Sequence, residues 1–500
     1  MPADLPGSVQ VIVGLEVHVQ LLTESKVFCG CPNRFDPDNP NTNVCPVCLG
    51  LPGALPVINE EAIRLSVRAG LGMRCQIARY TKWDRKQYHY PDLPKGFQTS
   101  QYDLPVVGRG TFVFDGSDGK SEIRITRAHL EEDAGKNIHA AGGSQVDLNR
   151  AGTPLLEIVT EPDLRSGAEA KLFLQELRLL LRYLDISDCN MQEGSLRCDA
   201  NVNLLVSGRG EEEATPIAEI KNLNSFRSVE AAIDYEAGRQ WREYQKTGLT
   251  VETGTKQTRG FDADTGRTTP QREKEAEADY RYFPCPDLLP VTLDDAAIEL
   301  EEESLPERPA ERRRRFVSDL RLNDYDAGVL VEAGRGVSDY FEEAAAAIVE
   351  TTGEAKPAAN WVTQEVLREL KGRRIEEFAV PSGVLGDLVR RVEARELSSK
   401  AAREVFETLL AQGESGEKLT KKSIDRVVDE KGLAAVGGGA QLEAAIEAAL
   451  EQHERAVADV KRGNDKAAGP IIGTVMKNVK GADPKAVRDA ILAAIAAKPR

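Results

Sequence analysis

The sequence predicts an α+β protein, with a strand-rich first part and a helical second part. Three observations carry that prediction. Residues 9–21, VQVIVGLEVHVQL, alternate apolar and polar side chains at the two-residue period of a strand. Residues 155–159 and 196–204 read as two further strands, the first of them buried. From Pro290 onward the composition turns acidic, then proline-rich, and apolar residues then recur at helical spacing. Strands first and helices afterwards is the order of an α+β chain.

At 500 residues the chain exceeds one ordinary core, so about two to four domains are expected. Hydrophobic residues make up 41% and charged residues 29%, the balance of a globular protein. A net charge of -16 excludes a surface that grips nucleic acid all over; RNA contact is confined to local patches. No apolar run is long enough to span a bilayer and no basic-then-apolar leader is recognisable, so a cytosolic location without a membrane partner is expected. Of the 8 cysteines, four crowd between Cys29 and Cys48. In a reducing compartment that crowding points to metal before disulfides.

Along residues 9–21, Val9, Val11, Val13, Leu15, Val17, Val19 and Leu21 share one parity, and Gln10, Ile12, Gly14, Glu16, His18 and Gln20 the other. The first set packs into a core. Glu16 and His18 then stand side by side on the second face. A carboxylate and an imidazole so fixed are half of a metal site, although a half-exposed sheet face would read alike. Cys29-Gly-Cys31 and Cys45-Pro-Val-Cys48 follow. Two close thiolate pairs joined by a loop of Pro and Asn can close a tetrahedral zinc site, and four thiolates leave no open position for catalysis. Cys75, Cys189, Cys198 and Cys285 are scattered and read as ordinary buried thiols.

Asn59–Met73 has acids in its first turn and apolar residues at helical spacing, and is expected to be a helix. Lys82–Pro105 mixes aromatics, prolines, cations and amides without a period, as a binding surface does. Within it, Arg85, Lys86 and Lys95 suit phosphate or carboxylate. Ile123–Ile125 reads as a strand end, and Glu131, Glu132 and Asp133 as an acidic turn or a cation site. Glu157 stands at the centre of the buried strand 155–159 and so needs a cation, hydrogen bonds or an edge position. Glu16, His18, Glu132 and Glu157 together can hold a divalent ion, and three oxygen donors favour Mg²⁺ or Mn²⁺ over zinc.

Ala168–Leu184 is expected to be a helix with Leu172, Phe173, Leu177, Leu180, Leu181 and Leu184 on its apolar face. In the next strand Arg197, Asp199, Asn201 and Asn203 share one face, which is the floor of a polar site or a water-facing surface. Residues 218–224, with Glu219, Lys221, Asn222 and Asn224, repeat the theme. Thr247–Arg272 is rich in Thr, Gly and charge and is read as hairpins or loops. Residues 279–284, DYRYFP, form an aromatic–basic cluster able to stack a base or to cap a core. Beyond Pro290, helices are expected at Glu311–Leu322, Asp326–Val331, Val337–Thr351, Asn360–Leu370, Ala440–Lys461 and Pro484–Ala497. Residues 412–416 mark a second boundary. Residues 461–500 carry an excess of Lys and Arg over Asp, a place for phosphate contacts. There is no Walker A loop: Gly119-Lys120-Ser121 has its ending, but Phe114 stands where the first glycine belongs. No G-x-S-x-G elbow and no glutaminase-type cysteine appear. ATP binding would therefore fall on a polar sheet face with metal ions.

These stretches together resemble the GatB/GatE family of tRNA-dependent amidotransferase subunits. The matching pieces are GLEVHVQL, the four-cysteine segment through NTNVCPVCLGLPGALPV, DRKQYHYPDLPKGFQTSQYD, LEEDAGK, DLNRAGTPLLEIVTEPD, EGSLRCDANVN, EIKNLNSF and DYRYFP. The later part is similar, with weaker motifs, to the family's helical domain and its tail, which resembles the YqeY family. Absence of room for a large inserted domain favours the B-type over the archaeal E-type subunit.

The resemblance implies a cradle domain on a largely antiparallel sheet over residues 1–293, an all-α helical domain over 294–411 and a YqeY-like α-helical, tRNA-binding tail over 412–500. It implies ATP-dependent amidation of glutamate on tRNA(Gln), or aspartate on tRNA(Asn), through a phosphorylated side-chain carboxylate. Ammonia would come from an amidase-type A subunit, and a small C subunit would complete a heterotrimer. The family's magnesium site falls on Glu16, His18, Glu132 and Glu157, with Glu131 the rival of Glu132. Its structural zinc falls on Cys29, Cys31, Cys45 and Cys48. Lys86, Tyr88, Asp199, Arg85, Arg197, Asn201 and Lys221 are expected around the ATP and substrate pocket. The competing readings are a metal-dependent phosphoryl or acyl hydrolase and a non-catalytic tRNA-binding scaffold.

Overall fold

The computed structural model describes residues 5–497 except 35, 117–118, 141–142, 209–210, 272–279, 434–439, 463 and 480–483. The chain divides into two compact units, Met1–Ala310 and Glu311–Arg500.

The first unit is built around one mixed sheet. Its elements in chain order are β1 (Val9–Gln20), α1 (Glu60–Gly72), β2 (Cys75–Ile77), β3 (Val107–Gly116), β4 (Gly119–Glu132), β5 (Pro154–Thr160), α2 (Gly167–Tyr183), β6 (Leu196–Gly208), β7 (Glu211–Ala214), β8 (Ala218–Lys221), α3 (Phe226–Thr247), β9 (Gln257–Asp262) and β10 (Arg267–Pro270). The strand order is β10-β9-β8-β6-β1-β5-β4-β3-β2, with β7 paired to β6. All pairs are antiparallel except β8 with β9. Because β1 lies between β5 and β6, its two faces set the character of the sheet. Val13, Val17 and Val19 are wholly buried with Ile158, Leu196, Ala200 and Val202 of the neighbouring strands. The helices α2 and α3 bring Phe173, Leu177, Leu181, Val229 and Ile233 into the same core. Burial of each such side chain contributes roughly 1.5–3 kcal/mol.

The helices start where side chains can cap them. Asn59 accepts from the Glu61 amide (3.0 Å), Ser166 from the Glu169 amide (3.1 Å) and Ser225 from the Ser228 amide (3.0 Å). Each cap is worth about 1 kcal/mol. Two local expectations are corrected, and a third is met. The acids at 131 and 132 lie in β4, which runs seven residues beyond Ile125. Lys82–Pro105 contains two short strands, Asp84–Gln87 and Phe97–Ser100, which pair with each other, and the first of them also pairs with Phe283–Pro284. Thr247–Arg272 holds the β9–β10 hairpin; Arg272 and Asp279 lie outside the described residues.

The second unit is helical. Pro309–Ser318, Asp324–Glu332, Arg335–Thr352, Ser382–Glu393 and Ser399–Glu414 are helices. Phe316 packs edge-on against Phe341, and Trp361 against Phe406. The helix expected from Asn360 begins at Lys356 and widens into a π-helical turn at Val362–Val366. The helix expected at Ala440–Lys461 is two helices, Ala440–Gln452 and Glu454–Lys461, with His453 between them. With Gly469–Asn478 and Pro484–Ala497 they enclose a separate core of Leu442, Ile446, Val475, Val487 and Ile491.

Candidate active site and metal centres

The register of the sheet composes the site. His18 pairs with Arg197 of β6 on one side and with Glu157 of β5 on the other. Glu157 in turn pairs with His129 of β4. One row therefore reads Arg197, His18, Glu157, His129 across four adjacent strands. Two residues along the same face, Glu16 pairs with Asp199, and Glu131 follows His129. Side chains of one parity share one face, so the face opposite the valine core is a floor of acids, imidazoles and cations.

His18 Nε2 lies 3.4 Å from Glu157, 3.7 Å from Glu16 and 3.9 Å from Glu131. His129 Nε2 lies 3.3 Å from Glu157 and 3.7 Å from Glu131. The ligand atoms of Glu16, His18 and Glu157 all fall within 4.8 Å of one another, and so do those of His129, Glu131 and Glu157. The triads share Glu157. Burial pushes the His129 imidazole down, but Glu157 and Glu131 more than offset it and raise it to about 9. His18 is likewise raised against burial by Glu157, Glu131 and Glu16. The two imidazoles in turn hold Glu157 well below the usual carboxylate range despite its burial. Glu16 is raised by burial and by Glu157. Three carboxylates gathered so closely demand positive charge, and a mixed carboxylate–imidazole set suits Mg²⁺ or Mn²⁺. The donor set therefore fits such an ion.

Glu132, named with Glu16, His18 and Glu157 from the sequence, does not join them. As β4 continues through it, Glu132 points to the other face, where it pairs with Lys95 and accepts from the Thr99 amide (2.8 Å). Glu131 takes its place in the cluster and accepts from the Ser100 hydroxyl (3.3 Å). His129 escapes the sequence reading. The signal that finds it is its parity with Glu131, once the strand is known to extend that far.

The other expected residues divide by the same alternation. Lys86, on the strand Asp84–Gln87, is raised by Glu131, Tyr282 and Glu157 against burial, and its ammonium lies 4.9 Å from the Tyr280 ring centre. Tyr88 shares its parity and meets Tyr280 edge-on at 6.2 Å. Tyr102 stacks on Tyr282 at 4.2 Å. Lys221 is bonded to Asp199 (2.7 Å) and Glu219 (2.6 Å). Asn201 lies on the same floor, and its Oδ1 is buried without a partner. Arg197 donates to Asp133 (2.7 Å), which Gln20 also reaches (2.8 Å) and which Arg150 approaches at 3.6 Å. Against its burial, Arg197 and Arg150 hold the Asp133 carboxyl below its ordinary value. Arg85 faces away from this floor. It is bonded to Asp287 (2.5 Å) and lies 4.2 Å from the Phe97 ring centre.

Arg85, Lys95 and Glu132 line a cavity of about 210 Å³ whose opposite wall is the cysteine loop. Cys45 and Cys48 Sγ are 3.8 Å apart, and all four sulfurs of Cys29, Cys31, Cys45 and Cys48 lie within 4.8 Å of one another. A tetrahedron of Zn–S bonds of about 2.3 Å has edges of about 3.8 Å, so this set fits zinc. The hydrogen bond from Cys29 holds the Cys48 thiol low, at about 5. Burial pushes Cys31 up to about 11. After Cys48 the chain turns at Gly50 (φ +66°), where a Cβ would come within 2.5 Å of Lys95 Cγ; only glycine allows this approach. A larger cavity of about 720 Å³ borders Gln20, Lys136, Asn149 and Arg150. No helix among the described residues is long and apolar enough to cross a membrane.

Comparison with known proteins places this geometry in context. Residues 11–299 match the profile of the GatB/GatE catalytic domain, and residues 339–495 that of a GatB domain. The B subunit of the aspartyl/glutamyl-tRNA(Asn/Gln) amidotransferase from Rhodopirellula baltica is 50% identical over 496 residues, 98% of this chain and 97% of the relative. Its namesake from Helicobacter hepaticus is 45% identical over 481 residues, 96% of this chain and 98% of the relative. That of Chlorobaculum tepidum is 45% identical over 484 residues, again 96% and 98%.

Proposed function

The chain belongs to the GatB/GatE family, and from that premise we propose that it carries the kinase and transamidase chemistry of its complex. It is one subunit of an amidotransferase that acts on tRNA, a ligase of protein biosynthesis. The proposed substrates are glutamate misattached to tRNA(Gln) and aspartate misattached to tRNA(Asn). Their side-chain carboxylates are poor acyl donors until one oxygen becomes a phosphate leaving group. ATP would supply the phosphoryl group, and ammonia from an amidase-type A subunit would displace phosphate and leave the amide. A small C subunit would complete a cytosolic heterotrimer.

The observation that carries this reading is the row Arg197, His18, Glu157, His129 with Glu16, Glu131 and Asp199 beside it. Glu16, His18, Glu131 and Glu157 would hold Mg²⁺ or Mn²⁺, which when bound neutralises charge on a transferring phosphoryl group. Lys86, Arg197 and Lys221 ring the acids and are suited to orient phosphate oxygens. Tyr88, Tyr280 and Tyr282 flank Lys86 and offer a stacking surface for a base. Asn201 offers an unpaired acceptor to the substrate. The four cysteines would hold a structural zinc. We assign residues 1–293 to the catalytic cradle, 294–411 to a helical domain and 412–500 to a tRNA-binding tail, the last on its excess of Lys and Arg.

The test is ATP consumption by the complex with aminoacylated tRNA as the variable. Hydrolysis that requires glutamyl-tRNA(Gln) or aspartyl-tRNA(Asn) supports the reading. Equal hydrolysis without tRNA would return the site to a simple hydrolase.

A further inference from the structure

Lys26 is wholly buried, with 0% of its surface exposed. An ammonium removed from water is costly unless an anion and hydrogen bonds replace the solvent. Among the described residues, no carboxylate is paired with it. Its Nζ donates to the Asn43 carbonyl (2.8 Å) and lies 3.9 Å from Cys48 Sγ. Its backbone amide donates to the Cys31 carbonyl (2.9 Å). One residue thus grips both halves of the cysteine loop: the first pair through its backbone, and the second pair through its charge. Asn43 is itself fixed, because its amide donates to Asn149 Oδ1 (2.8 Å) and its side chain to the Pro32 carbonyl (2.5 Å). Gly152, at φ +86°, lets the chain pass over this contact; a Cβ there would sit 3.5 Å from Cys48 and 3.6 Å from Lys26.

With no carboxylate paired to it among the described residues, this ammonium takes its counter-charge from the sulfur beside it. Four thiolates around a divalent ion carry a net charge of about −2 and supply one. We propose that Lys26 is the counter-cation of the four-cysteine site and governs how tightly that site retains its ion. The proposal rests on the reading of these cysteines as a zinc site and adds a positioning residue outside the ligand set. Outer partners of metal ligands commonly change affinity by roughly 10–100-fold when removed.

The experiment uses the full chain purified with zinc. Zinc content is measured by elemental analysis, and zinc release is followed with a chromogenic chelator, for wild type, K26M, K26Q and K26R. Folding of each is checked by far-ultraviolet circular dichroism. K26M keeps the length without charge; K26Q keeps a donor for the Asn43 carbonyl; K26R keeps the charge. The expected result is zinc release at least about tenfold faster in K26M and K26Q, with K26R close to wild type. If K26M does not fold, K26Q against K26R carries the comparison. Retention in folded K26Q equal to wild type would overturn the counter-cation role, and K26R as leaky as K26Q would assign the effect to shape. A wild-type chain that holds no zinc would instead refute the metal reading, and the proposal with it.

Discussion

Glu157→Gln is the most informative single substitution at the sheet floor. The carboxylate is shared by both triads and lies 3.4 Å from His18 Nε2 and 3.3 Å from His129 Nε2. In the ion-free chain it is the main counter-charge of two imidazoles, His129 buried and His18 half-buried. The rise of His129 from 6.5 to about 9 corresponds to about 3 kcal/mol at about 1.4 kcal/mol for each pH unit. Burial acts against that rise and Glu157 is the strongest contributor in its favour. The amide should therefore lower the His129 value by roughly 2 pH units, since Glu131 alone then opposes burial. A group whose folded value is raised stabilises the fold fully below its unfolded value and loses that contribution as pH rises through the folded one. Wild type should exceed the variant in stability below pH 6.5, down to the acid range where Glu157 itself is protonated, and the two should converge above about pH 9. The assay is a ¹H–¹⁵N titration of the 5 histidines in chelator-treated protein, with urea unfolding at matched pH. An imidazole at position 129 that still titrates near 9 in the variant would refute the electrostatic account.

Other perturbations separate the faces of the sheet. Glu131→Gln should weaken Mn²⁺ binding, read by electron paramagnetic resonance, by about 100-fold or more, whereas Glu132→Gln should leave it nearly unchanged; the reverse order would move the ion to the Lys95 side. Asp133→Asn removes the buried partner of Arg197 and Arg150 and should cost about 3 kcal/mol near neutral pH. Because its folded value is depressed, that difference is present above about pH 4 and fades as pH falls through the folded value; an equal difference in acid and at neutrality would contradict it. Deletion of residues 413–500 should weaken tRNA affinity more than it slows a saturated reaction; an unchanged KM for tRNA would count against a tRNA-binding tail.

Much of this architecture is legible because period and burial coincide. The valines of β1, the apolar face of α2 and the acidic first turn of α1 all mark their elements without tertiary information. The cysteine pairs are equally plain, since two short thiolate spacings have few other uses. What is not legible depends on register. Glu131 and Glu132 are adjacent and chemically alike, and only the continuation of β4 decides which faces the imidazoles. The same strand hides His129, which looks like part of a turn until it pairs with Glu157. Arg85 and Lys86 are neighbours in sequence, yet the short strand carrying them sends one to the side of the cysteine loop and the other to the acids. Lys26 has no sequence signature, because its role depends on a buried contact with Cys48.

The central claim is that the acid–imidazole floor performs the amidation chemistry. Its most direct test is amide formation on glutamyl-tRNA(Gln) with ATP, Mg²⁺ and ammonium chloride, using this chain purified with the proposed A and C subunits. Free ammonium would replace the proposed ammonia-supplying subunit, so the signal tests the chemistry assigned to this chain. The account predicts turnover in wild type and its loss in Glu157→Gln, with tRNA binding retained. A folded Glu157→Gln complex that turns over at the wild-type rate would contradict it.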